Sequence, residues 1–280
     1  MGDQITKRPE GFFLDILGLK FKILCDNKKF ERCLKQIFFH FVCDEGKNDN
    51  ERQKRKINCK YQRDIKVINF KVKDFYADLF SAYDKIMKMC LEDLQNRFLL
   101  LHASSCVLDG QTYIFVGKSG AGKSRIVRRL VKGGAKYVGD DPVLISKRDD
   151  IVLFPKSVLP LLISKEGEIV PFPKPILPRY TYRGRRFVKF FVPRSIGEPR
   201  LPYNFIIYEE GSEKDLRIQQ LSKAEGAFEL LKNTQNLECL EYKVSFDAIS
   251  KVLQKSKVFR VNKPFYIRDF PKVLRIIRKI

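Results

Sequence analysis

The chain has no long apolar run, no close cysteine pair and very little histidine, and these shortages remove whole classes of function. Its longest apolar runs, such as Phe98–Leu101, are far too short to span a bilayer. The first residues, Met1–Gly11, are polar and lack the apolar stretch of a signal peptide. Met1-Gly2-Asp3-Gln4-Ile5-Thr6 fits the short myristoylation pattern, which is permissive and has no further support. The seven cysteines, Cys25, Cys33, Cys43, Cys59, Cys90, Cys106 and Cys239, are odd in number and include no CxxC. Zinc sites need close ligand pairs, so a metal knot is not expected, and scattered thiols fit a reducing compartment. The expectation is a cytoplasmic protein with no membrane partner. Internal repeats and long low-complexity linkers are also absent.

What is there describes a globular chain: 280 residues, 44% hydrophobic, with 23 Phe. The net charge of +22 draws phosphate in any form, whether nucleotide, nucleic acid, acidic peptide or anionic lipid. Its Lys and Arg residues are spread along the whole chain, including Arg52–Lys56, Arg183–Lys189 and Lys272–Lys279. That spread looks partly compositional, so nucleic acid stays a secondary partner class.

Residues 1–97 read as a small α/β unit, a candidate for substrate docking. Strands fit residues 12–24, and a helix follows Asp26 or Asn27, with Phe30, Cys33, Leu34, Ile37, Phe38 and Phe41 at helical spacing. Residues 46–56 read as an exposed loop, Ile57–Tyr61 and Ile65–Phe70 as strands, and residues 75–96 as a helix. Residues 98–280 read as a second, P-loop unit. Strands Ser104–Leu108 and Thr112–Val116 flank Asp109-Gly110, a strong hairpin signal, so the strand feeding the next loop should pair antiparallel with its predecessor. A helix to about Lys132 and a Gly133-Gly134 stop follow. Prolines 155, 160, 171, 173, 175 and 178 mark a loop-rich stretch. Tyr203–Tyr208 reads as a strand, and Ser222-Lys223-Ala224-Glu225 as a capping box opening a helix to about Leu231.

Gly117-Lys118-Ser119-Gly120-Ala121-Gly122-Lys123-Ser124 fits G-x-x-x-x-G-K-[ST], between an apolar strand and an amphipathic helix carrying Ile126, Val127, Leu130 and Val131. The glycines let backbone N–H groups wrap phosphates, and the helix start adds its positive end. Lys123 reaches the β- and γ-phosphates, and the Ser124 hydroxyl is placed to ligate Mg²⁺. Arg125 follows at once and is counted with the nucleotide-binding residues.

Asp140-Asp141 comes next. One carboxylate beside a triphosphate can hold Mg²⁺ while the other accepts the proton of an attacking hydroxyl; Asp-Asp-Pro is also good turn chemistry. Ser124 and Asp141 are the metal-ligand candidates. Asp140, Asp141, His102 and Lys123 are the catalytic ones, with the division between the two carboxylates open. His102 precedes the hairpin, which should bring it near the loop, where it could touch phosphate or polarise the acid pair; a packed histidine is the plainer reading. His40, on a helix rim, reads as packed. The run Arg179, Arg183, Arg185, Arg186 and Lys189 could supply cations to a phosphoryl group, or could be a solvated dock for an acidic substrate.

Leu101-His102-Ala103, a hairpin, Gly117–Ser124 and Gly139-Asp140-Asp141 together resemble the catalytic core of the HPr kinase/phosphorylase family, which is similar in fold to ATP-dependent phosphoenolpyruvate carboxykinases. The resemblance covers about residues 98–146 well and fades to about 235. It implies a mixed-sheet α/β core with a β-hairpin feeding the P-loop, ATP and Mg²⁺ as cofactors, and phosphoryl transfer to a hydroxyl, foremost a serine of a peptide or protein, with a small hydroxyl compound as the alternative. The positions that carry it are Lys123, Ser124, Asp140, Asp141 and His102. Arg125 stands where HPr kinases carry Glu, and their glycine-rich substrate signature is absent. Both features point toward smaller relatives such as kinases of lasso peptide precursors. Family members are often oligomeric, so a homo-oligomer is compatible with the resemblance. The alternative from another class is a nucleotide-dependent switch or nucleic-acid-binding protein without kinase activity. Against it, no downstream apolar run ends in a separate acidic metal ligand.

Overall fold

The computed structural model describes residues 11–38, 41–43, 65–146, 159–162, 180–182, 185–191, 197, 201–208, 218–239, 241–261 and 275. Within them the chain is mixed α/β, with mixed sheets. Two compact units divide it: Met1–Glu92 with Ser157–Val192, and Asp93–Lys156 with Pro193–Ile280. The strand expected at Ile57–Tyr61, the loop at 46–56, His40, Cys59, the first ten residues and Lys272 lie outside the described residues.

The chain opens with β1 (Phe12–Ile16) and β2 (Leu19–Cys25), an antiparallel hairpin. Alternation explains the pairing, since Phe12, Leu14 and Ile16 are buried and the residues between them are not. Helix α1 (Lys28–Ile37) starts at Asn27, whose side-chain Oδ1 accepts from the Lys29 and Phe30 N–H groups at 3.0 and 3.1 Å. Phe30, Leu34 and Ile37 are its buried stripe. Phe38 leaves helical geometry, so Phe41 lies beyond the helix, just before β3 (Val42–Cys43), which pairs with β1. Next come β4 (Lys66–Phe70), parallel to β2, and α2 (Phe75–Leu94), which buries Leu79, Tyr83, Ile86, Met87, Cys90 and Leu94. The sheet order is β3-β1-β2-β4.

From Phe98 the chain forms β5 (Phe98–Leu101), β6 (Ala103–Leu108), β7 (Gln111–Val116), α3 (Lys123–Lys132), β8 (Lys136–Asp140) and β9 (Val143–Ser146). The hairpin at Asp109-Gly110 is present, and both residues carry the positive φ of 49° and 80° that such a turn requires. The next strands, β10 (Leu159–Leu162), β11 (Tyr180–Tyr182) and β12 (Arg185–Phe191), form an antiparallel sheet in the order β10-β12-β11. The rest of the proline-rich stretch, with Arg179 and Arg183, lies outside the described residues.

Last come β13 (Tyr203–Tyr208), β14 (Ile218–Gln220), α4 (Lys223–Lys232), α5 (Tyr242–Gln254) and β15 (Lys257–Val261). A six-stranded sheet in the order β14-β15-β13-β7-β6-β8 organises the second unit. The strand that feeds the glycine-rich loop, β7, is antiparallel to β6 on one side and parallel to β13 on the other. β13 is central and buried at every position, as a strand between two parallel neighbours should be. One core gathers Ile114, Val116, Phe205 and Ile207 of this sheet with Leu230 of α4 and Ile249, Val252 and Leu253 of α5. Outside that cluster, α3 packs on β6 and β8 and buries Ile126, Val127 and Leu130. The expected capping box opens α4, with Ser222 accepting from the Glu225 N–H and Glu225 reaching back. Gly226 lets α4 approach β15, because a Cβ there would meet Val258 Cγ2 at 2.8 Å.

Candidate active site

Three strand ends and one helix start meet at the site. β7 ends at Val116 and the chain turns through Gly117–Gly122 into α3, with Lys118, Ser119 and Gly120 exposed on the turn. Gly122 takes the N-cap position at φ 88° and no side chain caps the helix. An uncapped helix start leaves first-turn N–H groups without an intrahelical acceptor, a setting that suits an anion.

Lys123, the first residue of α3, is only 5% exposed. Its ammonium donates to Gly117 O and Lys118 O, both at 2.8 Å, so it is folded back over its own loop. His102 Nε2 lies 3.2 Å away. An ammonium only donates, so Nε2 accepts and the ring proton sits on Nδ1. Burial lowers the Lys123 pKa from its ordinary value, against the opposing pull of Asp141 and then Asp140. A cation held in a low-dielectric setting attracts an arriving anion more strongly than one in water would.

The two acids at the end of β8 occupy different settings. Asp140 is 3% exposed, and its Oδ1 accepts from the hydroxyls of both Ser104 on β6 and Ser124 on α3, the latter at 2.8 Å. Ser124 Oγ also lies 3.0 Å from Asp140 Oδ2. Arg128, one turn along α3, donates its Nε to Ser124 O at 3.0 Å. Burial lowers the pKa of that guanidinium from its ordinary value, against the opposing pull of Asp140. Asp141 points outward, its side chain 44% exposed, with Oδ1 accepting from Gln235 Nε2 at 2.6 Å. Its Oδ2 is 3.6 Å from His102 Nε2, too far for a hydrogen bond. The Asp141 backbone is held at φ 28°, with its N–H donating to Ala103 O at 2.8 Å.

Lys123, Ser124, Asp140, Asp141 and His102 therefore converge, and the hairpin does bring His102 to the loop. Arg125 is exposed on the first turn of α3. Of the basic run, Arg185, Arg186 and Lys189 belong to β12, which is described by its backbone alone. The sequence reading missed four residues: Ser104, Arg128, Gln235 and Asn236. Ser104 and Ser105 are fully buried hydroxyls in an otherwise apolar strand, which is an unusual pair and a usable signal. Gln235 and Asn236 belong to the polar run Asn233–Asn236 after α4, where sequence shows only a helix end.

Ser124 and Asp140 present oxygen donors to one point, and oxygen suits a hard cation such as Mg²⁺, which takes few protein ligands when phosphates supply the rest. Among the described residues, no group of three or more His, Cys, Asp and Glu side chains could hold a metal without such help. None of the described helices is long and apolar enough to cross a membrane. No family model matches the chain, and no curated protein matches it.

Proposed function

We propose that the chain is an ATP- and Mg²⁺-dependent kinase of the HPr kinase kind that phosphorylates a hydroxyl, most readily a serine of a peptide or protein, in a cytoplasmic setting. One observation supports the reading: an acid pair, one member buried against Ser124 and the other with its side chain 44% exposed, lies beside the glycine-rich Gly117–Ser124 turn. A nucleotide switch needs only the first acid. A solvent-facing second acid, oriented by its own hydrogen bond, is what a hydroxyl acceptor requires.

In this reading the loop N–H groups and Lys123 bind the triphosphate, and Lys123 exchanges its two carbonyl partners for phosphate oxygens. Ser124 and Asp140, rather than Asp141, would hold Mg²⁺, because the Ser124 hydroxyl contacts both Asp140 oxygens. The ion would supply charge neutralisation at the β- and γ-phosphates. Asp141 orients the acceptor hydroxyl and takes its proton as the new P–O bond forms; the bond from phosphorus to the β,γ-bridging oxygen breaks and ADP leaves. Ser104 holds Asp140 in place by its hydrogen bond, and the Arg128 guanidinium lies within range of that carboxylate's charge.

The test is incubation of the purified chain with γ-labelled ATP, Mg²⁺ and a library of serine-containing peptides. Label should appear on serine. Asp141→Asn should lower transfer by a factor of about 10²–10⁴, the usual range for a lost general base, with nucleotide binding retained. Asp140→Asn should weaken the Mg²⁺-dependent part of binding. Tight ATP binding with no transfer to any acceptor would sink the kinase reading in favour of the switch.

A further inference from the structure

The segment after α4 is fastened to the site more firmly than a helix exit needs to be. Asn233 O accepts from the His102 N–H at 2.9 Å, Thr234 bridges to Leu101, and the Gln235 N–H donates to Leu100 O at 2.7 Å. Buried Asn236 completes the attachment: its Oδ1 accepts from the Leu100 N–H at 2.9 Å, and its Nδ2 donates to Gln95 O and Phe98 O at 2.7 and 2.9 Å. Through these bonds the segment sits beside the strand that delivers His102.

Gln235 is the one side chain of this segment that reaches the acid pair. It is exposed, yet its amide donates to Asp141 Oδ1 at 2.6 Å. An exposed hydrogen bond contributes little to stability, because water replaces it at small loss. Its effect lies in orientation. Asp141 is 44% exposed, and the amide fixes one oxygen of its carboxylate.

We infer that Gln235 is a positioning residue for phosphoryl transfer, holding the Asp141 carboxylate by Oδ1 so that Oδ2 is presented to the acceptor hydroxyl. The inference rests on the kinase reading above. Transfer of the proton demands that the acceptor oxygen and carboxylate meet at hydrogen-bond distance, and misplacement of about 1 Å can cost about 10²-fold in rate. A partly restrained carboxylate loses less.

The experiment measures single-turnover transfer from γ-labelled ATP to a serine peptide for the wild type, Asp141→Asn, Gln235→Met and Gln235→Lys. Methionine keeps the length and removes the donor; lysine restores one. The expected result is a roughly tenfold slower transfer in Gln235→Met, with KM for ATP and the unfolding midpoint unchanged, and recovery of a large part of the rate in Gln235→Lys. If the wild type transfers, Asp141→Asn does not, and Gln235→Met matches the wild type, the inference is overturned while the kinase reading stands. Equal losses in Gln235→Met and Gln235→Lys also overturn it, because the donor would then be irrelevant. No transfer by the wild type removes the kinase reading and this inference with it.

Discussion

Replacing Asn236 tests whether the segment after α4 is held as described. The side chain is 4% exposed and makes three hydrogen bonds to main chain. Asn236→Ala strips all three at once. The Leu100 N–H, on a residue 5% exposed, is left buried without an acceptor, and the Phe98 carbonyl loses a buried donor. An orphaned buried polar group costs about 1–3 kcal/mol. Taking about 2 for the N–H and about 1 for the carbonyl, which has a second lone pair, and letting water reach Gln95 O, the sum is about 3 kcal/mol. At about 2–4 °C per kcal/mol for units of this size, the unfolding midpoint should fall by about 6–12 °C in a thermal scan. Asn236→Asp sharpens the test. Its carboxylate can still accept from Leu100, but its second oxygen then faces the carbonyls of Gln95 and Phe98, which favours the protonated form in the folded chain. An unfolded Asp titrates near ~3.9. Below that value both states are protonated and the excess penalty vanishes; it grows as pH rises toward the higher folded value. The aspartate variant should therefore be less stable than the alanine variant at neutral pH, and the gap should close in acid. A midpoint within about 2 °C of wild type for Asn236→Ala, or a gap that ignores pH, would refute the reasoning.

Two further outcomes follow from the loop. Burial lowers the Lys123 pKa below its ordinary 10.5, and a triphosphate beside it favours the ammonium, so binding should take up a proton on the alkaline side and weaken as pH rises through the free-protein value. Calorimetry of ATP binding in two buffers of different ionisation enthalpy reads this directly, and proton release would contradict it. Gly122→Ala has room for its Cβ, with nothing within 4 Å, but must adopt φ 88°. The strain of about 1–2 kcal/mol should weaken nucleotide binding up to about thirtyfold in an equilibrium titration. Unchanged affinity would show that the loop does not need this conformation.

The elements legible in the sequence are those whose signals are local. Asn27 before an apolar stripe, Asp109-Gly110 between two apolar runs, Gly133-Gly134 after α3 and the Ser222–Glu225 box each state their structure in a few residues, and each element is present. The five residues expected to share one site do so because the hairpin, the loop and β8 are consecutive, so spacing along the chain carries spatial information. Long-range pairing carries none. β5 pairs with β9 across more than forty residues, and β13 inserts between β7 and β15. The buried stripe of α5, Ser245, Ala248, Ile249, Val252 and Leu253, is diluted by a serine and an alanine, and it went unread. Gln235 was invisible for the same reason: it meets Asp141 from 94 positions away, through a sheet contact that no periodicity announces.

If the proposed function holds, the position of Lys123 sets the terms on which a nucleotide enters. Its ammonium already has two carbonyl acceptors from Gly117 and Lys118 and an imidazole nitrogen beside it, so a phosphate must offer more than those three together. A dianionic γ-phosphate does, since it opposes the ammonium with full negative charge where the carbonyls and the imidazole offer only dipoles; a neutral hydroxyl or a water does not. The exchange has a consequence at His102. Once Lys123 turns to phosphate, Nε2 loses that donor, with Asp141 Oδ2 3.6 Å away. One imidazole thus neighbours both the loop lysine and the outward acid, and Gln235 is bonded to that acid's other oxygen.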